Sequence, residues 1–179
     1  MVKFEILKGL PAEGEPALSF SVKGGELHAE GFVVRFLPGD SRAWVGNFAC
    51  GISGFSDVIP HPDGRRTLVI AGGQGYVIDA ESRTLDSTVG GGICEVLPAP
   101  GIDALVLSNG LWLEAHGRGG FLWRSTRISW DGIQDLRVTG PEIHGKSYAP
   151  FPLSGVWSDF RIDLATGERL EGGSYNEPT

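Results

Sequence analysis

Asp57-Val-Ile-Pro-His-Pro-Asp-Gly64, followed by Leu68-Val-Ile-Ala-Gly-Gly73, returns further along the chain as Glu95-Val-Leu-Pro-Ala-Pro-Gly101, followed by Leu105-Val-Leu-Ser-Asn-Gly110. An acid, two β formers, Pro-x-Pro, a Gly turn, an apolar run and a second turn recur in that order, offset by 38 residues and then by 37. A repeat of roughly 40 residues is one supersecondary unit of a few short strands, which needs neighbours to bury its apolar face. Leu68-Val-Ile-Ala71 and Ala104-Leu-Val-Leu-Ser108 are short apolar runs bounded by Gly, Asn or Pro, as buried strands are.

The strand period extends outward from this pair. In Leu111-Trp-Leu-Glu-Ala-His116 the residues Leu111, Leu113 and Ala115 face one way, and Trp112, Glu114 and His116 the other. Phe32-Val-Val-Arg-Phe36, Tyr76-Val-Ile-Asp79 and Phe160-Arg-Ile-Asp-Leu164 read as alternating strands too. The longest stretch free of Gly and Pro, Tyr76 to Val89, reads as strand, turn, strand. With 28 Gly and 11 Pro scattered along the chain, turns are frequent and a long helix has no room. A second series, Phe32, Tyr76, Phe121 and Phe160, suggests aromatic strand openings at spacings of 44, 45 and 39. The two periods disagree between Leu111 and Phe121, where the third unit is expected to carry a longer hairpin. The expected fold is all-β. Antiparallel sheets form about four repeated units, near 14–50, 55–91, 93–130 and 131–173, within a single domain over 1–179.

His61-Pro-Asp-Gly-Arg-Arg-Thr-Leu-Val-Ile-Ala-Gly-Gly-Gln-Gly-Tyr-Val-Ile-Asp-Ala-Glu-Ser-Arg83 resembles one blade of a β-propeller repeat, and Phe160-Arg-Ile-Asp-Leu-Ala-Thr-Gly-Glu-Arg-Leu170 resembles the closing strand and turn of another. The resemblance covers about residues 55–172. It implies a Pro-Asp-Gly turn between two strands, an inward apolar strand, and an Asp-x-x-Thr-Gly turn at the end of the third. Propellers have about 4–8 blades of about 40–45 residues, and this chain has room for about four units. A small or incomplete propeller-like arrangement is the expectation.

Charge and composition exclude several classes. Fifteen Lys and Arg stand against 22 Asp and Glu, a net charge of −7, which argues against a phosphate-tracking surface and hence against nucleic acid as partner. No apolar run approaches the ~20 residues of a membrane span. Met1-Val-Lys-Phe-Glu-Ile-Leu-Lys8 meets charge too soon for a secretory leader, so the expected compartment is the cytoplasm. Cys50 and Cys94 are then expected to be buried, reduced thiols.

No catalytic signature stands out. Ala71-Gly-Gly-Gln-Gly75 is followed by a strand rather than the helix a phosphate loop needs, so it reads as a hairpin turn. Gly51-Ile-Ser-Gly-Phe55 breaks the nucleophile-elbow spacing, and neither cysteine has a flanking cationic cluster. Ser129-Trp-Asp-Gly-Ile133 reads as a strand end followed by an Asp131-Gly132 turn. The histidines His28, His61, His116 and His144 show no metal-ligand spacing, and His61 is expected to be exposed. Glu114 and His116 could share a metal with His144 only if a neighbouring strand brought it close, so no metal or cofactor is expected. Five tryptophans (Trp44, Trp112, Trp123, Trp130, Trp157) suit a core or an interface.

These readings favour a non-catalytic module that binds another protein through Trp112, Glu114, His116, Trp130 and Asp131. An acidic chain of this size also suits a bacterial immunity-type or regulatory protein that recognises a basic partner. The alternatives are a small hydrolase of sugar or phosphate esters using Glu114, His116, Asp131 or His144, and a structural subunit of an oligomer.

Overall fold

A computed structural model of the chain describes residues 3–22, 29–151 and 155–175, so His28 lies outside the described residues. The chain divides into two compact units, Met1–Ile93 and Cys94–Thr179. Each holds two four-stranded sheets.

In the first unit, β1 (Lys3–Leu7), β2 (Leu18–Phe20), β3 (Phe32–Leu37) and β4 (Trp44–Phe48) form a sheet in the order β1-β3-β4-β2. Its β2 runs parallel to β4, a departure from the antiparallel pattern. The second sheet is a meander of β5 (Asp57–Pro60), β6 (Thr67–Ala71), β7 (Gln74–Asp79) and β8 (Thr84–Val89). The second unit holds two further meanders. One is β9 (Glu95–Ala99), β10 (Ala104–Ser108), β11 (Leu113–Gly117) and β12 (Gly120–Arg124); the other is β13 (Ile133–Thr139), β14 (Glu142–Ala149), β15 (Val156–Asp163) and β16 (Arg169–Gly172). The fold is all-β and propeller-like, each meander having the strand order of a blade. Among the described residues the only helical turn is a 3-10 turn at Pro100–Ile102, and no helix is long and apolar enough to cross a membrane.

The repeated sequence maps onto equivalent strands. Pro60 and Pro98 lie in β5 and β9, which are edge strands, where a missing N–H costs no ladder bond. Leu68 and Leu105 lie in the inner strands β6 and β10. The β6–β7 hairpin turns through Gly72-Gly73, with φ of 52° and 84°, the left-handed pair of a two-residue hairpin. The β10–β11 connection instead uses Asn109 to Trp112, which is the longer hairpin of the third unit. The aromatic series does not survive this alignment. Tyr76 faces Val69 in register while Ala115 faces Val106, so the counterpart of Tyr76 is Ala115. Phe121 sits on the outer strand β12 and is 60% exposed. The Tyr76–Asp79 run does not alternate either, because β7 is covered on both faces and all four residues are buried.

Each unit has its own core. In the first, Trp44 stacks on Phe36 with centroids 4.5 Å apart and donates its indole N–H to the Ala80 carbonyl at 2.9 Å. Phe48 and Tyr76 pack beside it. In the second, Trp123 is buried with Leu113, Ile143 and Phe160 and donates to the Leu164 carbonyl at 3.1 Å. Both indoles therefore bury their apolar bodies without leaving a donor unpaired. Asp79 and Asp163 close β7 and β15 alike. Asp79 Oδ1 accepts from the N–H groups of Glu81 and Ser82, and Asp163 Oδ1 from those of Ala165 and Thr166.

Three local expectations are corrected. Cys50 and Cys94 are free, but both residues reach solvent, because they lie just outside β4 and β9 rather than within them. His61 is buried, 5% exposed, folded into the β5–β6 loop with Nδ1 3.1 Å from Asp63 Oδ1. Ser129 ends no strand: β12 stops at Arg124, and residues 125–129 cross between sheets.

Candidate functional site

Trp112, Glu114 and His116 do share one face of the second unit. Leu113 and Ala115 point into the core, so alternation along β11 turns Glu114 and His116 outward, and Trp112, just before the strand, joins them through its bond to Glu114. Glu114 is the centre of this cluster. Its carboxylate accepts from Trp112 Nε1 at 3.1 Å and from Arg124 Nε at 2.7 Å, and lies 3.5 Å from His116 Nε2. The Arg124 guanidinium also covers the Trp112 ring at 5.3 Å, and the His116 ring meets Phe121 edge-on at 5.7 Å. Burial by itself would raise the Glu114 carboxyl, but the Trp112 N–H, Arg124 and His116 outweigh it and hold it below the ordinary glutamate value. A carboxylate held by three partners is a positioned anion.

His144 lies on β14, in the other sheet of the unit, where it pairs with Glu142 at 3.1 Å. It is not brought to Glu114 and His116. Among the described residues, no three His, Cys, Asp or Glu side chains converge as a metal site would require.

Trp130 and Asp131 belong to a separate aromatic surface. The Asn109–Trp112 turn runs beside the 125–132 segment, with Ile128 N–H donating to Leu111 O at 2.8 Å and Gly132 N–H to Gly110 O at 3.1 Å. That segment is fixed to the end of β14 at Tyr148, whose backbone N–H donates to the buried Ser129 Oγ at 3.1 Å and whose carbonyl accepts from the Asp131 N–H at 3.3 Å. Ser129 Oγ in turn donates to Gly132 O at 2.6 Å, and Ser174 Oγ donates to Tyr148 O at 2.8 Å. On this platform the Trp130 ring, 46% exposed, meets Tyr175 at 4.8 Å. Arg127 lies over both rings, 4.5 Å from Tyr175 and 5.7 Å from Trp130, with Nε donating to Ser129 O and Nη2 to Trp130 O. Nearby, Trp157 packs on its cross-strand partner Tyr148 at 5.1 Å and remains 42% exposed.

Sequence reasoning singled out Trp130 and Asp131, named Trp157 only among five tryptophans suited to a core or an interface, and missed Arg127, Tyr148 and Tyr175. The pairing of Tyr148 with Trp157 depends on the β14–β15 register, and that of Trp130 with Tyr175 on contacts spanning 45 residues. Neither leaves a local pattern.

No family model matches the chain, and no curated protein matches it. Among solved structures it is similar to dihydro-heme d1 dehydrogenase NirN in complex with DHE, at 17% identity and a TM-score of 0.51, covering 78% of this chain and 32% of that one. It thus spans about a third of that relative's length. A eukaryotic initiation factor follows at 11% identity and a TM-score of 0.46, covering 79% of this chain and 39% of that one. Glutaminyl cyclase of Myxococcus xanthus is 18% identical with a TM-score of 0.35, covering 78% of this chain and 60% of that one. The likeness to NirN speaks for a propeller-type fold alone.

Proposed function

We propose that this chain is a non-catalytic protein-binding module whose contact surface is the aromatic end of the second unit. The observation that carries the reading is the half-exposed stack of Trp130, Arg127 and Tyr175 beside the half-exposed Trp157. Trp, Tyr and Arg are the residues in which binding energy at protein interfaces concentrates. Here they are held in place before any partner arrives. The main-chain bonds of Arg127 and the serine hydroxyls fix the stack, which lowers the ordering cost of association. Glu114, ion-paired with Arg124, holds a second positioned polar cluster on the same unit.

The partner suited to this surface has a basic rim around an apolar anchor, since the chain carries a net charge of −7. Recognition of a basic protein by an immunity-type or regulatory partner fits that chemistry. The test is an affinity capture from native lysate with tagged wild type and a Trp130→Ala, Trp157→Ala variant side by side. One stoichiometric partner, retained by wild type, lost by the variant and released by moderate salt, is the expected result. Recovery of the chain alone in both would sink the proposal.

A further inference from the structure

A groove of about 480 Å³ opens in the first unit between the Pro11–Pro16 segment and the Arg42–Val45 stretch that leads into β4. Its walls are apolar at Leu18, Trp44 and Val45, and cationic at Arg35, Arg42 and Arg83. Three arginines around one groove run against the acidic balance of the chain. They converge on carboxylates. Arg42 Nη1 binds Glu15 Oε1 at 2.6 Å, Arg83 Nη1 lies 3.7 Å from Glu15 Oε2, and Arg35 Nη1 binds Glu5 at 2.9 Å. Arg83 Nη2 also donates to the Arg42 carbonyl at 3.1 Å, which holds the two arginines side by side. Glu13 is the remaining acid in the lining.

The backbone supplies an independent observation. Arg83 has φ of +60°, in the left-handed region that side chains other than glycine avoid. It is the fourth residue after Asp79 in the turn that closes β7. The fourth residue after Asp163, in the matching turn that closes β15, is Gly167, with φ of +75°. Glycine is the conformationally suited residue at this position, and one of the two turns uses it. The other carries an arginine whose guanidinium reaches the groove. Such a conformation persists where surrounding contacts over-determine it, and here the Arg83 guanidinium is held by Glu15 and by the Arg42 carbonyl.

We propose that this groove binds a small organic anion, a carboxylate or phosphate carried on an apolar body. Arg42 and Arg83 clamp the anion, and the Glu15 carboxylate is the internal occupant that it displaces. The volume matches the size range of small-molecule sites, and the apolar wall beside the paired guanidinium groups matches such a ligand in kind. Glu15 is a weak occupant. Arg42 is 77% exposed and Glu15 49%, and ion pairs open to water hold little. Gly14, with φ of +109° and open space around it, gives the segment a turning point beside Glu15.

The test uses 1-anilinonaphthalene-8-sulfonate, a sulfonate on an aromatic body, titrated into the full chain in a Trp130→Ala, Trp157→Ala background that removes the aromatic end of the second unit as a competing dye site. The dye binds with one-to-one stoichiometry and is displaced by phenyl phosphate or benzoate but not by benzyl alcohol. Whichever of the two displaces it better names the anion class. Removing the internal competitor in Glu15→Ala tightens binding by about two- to fivefold, the worth of one exposed ion pair, and Arg83→Gly weakens it by a similar factor. Equal affinity in all three proteins, displacement by benzyl alcohol, or no bound dye overturns the site.

Discussion

Trp112, the residue just before β11, donates its indole N–H to Glu114 in that strand at 3.1 Å, while the residue between them, Leu113, is fully buried. The bond joins two outward side chains and makes Trp112 a covering residue for a carboxylate rather than part of the core. Replacing Trp112 by Phe keeps the ring and removes the donor. The Glu114 carboxyl, held below its ordinary value, should then rise toward it. A group depressed in the folded state contributes stability that is present above the ordinary glutamate range and lost as pH falls through the folded value. Trp112→Phe is therefore expected to shrink the stability lost between pH ~5 and pH ~3, read from urea unfolding at both pH values. An unchanged loss would mean that Arg124 and His116 set the carboxyl without Trp112.

The five tryptophans divide by surroundings, and truncation to Ala should sort them. Trp44 and Trp123 are 4% and 7% exposed, with paired indole N–H groups inside the cores. Each truncation there should cost about 3–5 kcal/mol and lower Tm by about 6–20 °C. Trp130 and Trp157 stand out from the surface, so each should cost about 1 kcal/mol or less while abolishing partner capture. Trp112 should fall between. A melting series on the five variants reads all of this, and a core-sized loss at Trp130 or Trp157 would remove them from the contact surface.

How far the sequence could be read depends on the distance over which its signals act. The Pro-x-Pro repeat and the strand period of β6, β10, β11 and β15 are local, and they carried the all-β, propeller-like reading. Outward placement of Trp112, Glu114 and His116 is also local, because alternation along one strand suffices. The β2–β4 parallel pair was not legible, since nothing in Leu18-Ser-Phe20 says which way its partner runs. His61 was misjudged because the Pro-His-Pro-Asp-Gly turn looks like surface sequence. Its backbone N–H pairs with Arg66 O at 3.0 Å and folds the imidazole inward. The Arg127, Trp130 and Tyr175 stack joins residues from a crossing segment and the C-terminal region, a meeting that only the folded chain reveals.

His61 gives the first unit a sensitivity near neutral pH. Burial lowers its pKa, against the opposing pull of Asp63 beside it. For a histidine lowered in the folded state the unfolded chain binds protons more readily, so stability is full above about pH 6.5 and falls as pH drops below it. Asp63, held far below its ordinary value because hydrogen bonds from Arg66 and Arg65 outweigh its burial, contributes a second loss at much lower pH. Tm should therefore decline between pH 7.5 and 5.5 in wild type and stay flat over that range in His61→Asn. A parallel decline in the two proteins would place the sensitive group elsewhere.

Arg83 and Gly167 make opposite predictions from equivalent turn positions. Arg83→Gly relieves a left-handed arginine at the cost of chain entropy and one exposed ion pair, so stability should stay level or rise by up to about 1 kcal/mol. In a chain of this size that is a Tm increase of at most about 4 °C. Gly167→Ala should do the reverse. It places a Cβ in the same left-handed conformation, and that Cβ would meet the buried Trp123 indole, with Cδ2 at 2.7 Å and Cζ3 at 3.1 Å. Left-handed strain and overpacking together should cost about 2–4 kcal/mol. Thermal melts of both variants decide the matter. A clear loss of stability in Arg83→Gly would show that the arginine is kept for the fold and not for the groove.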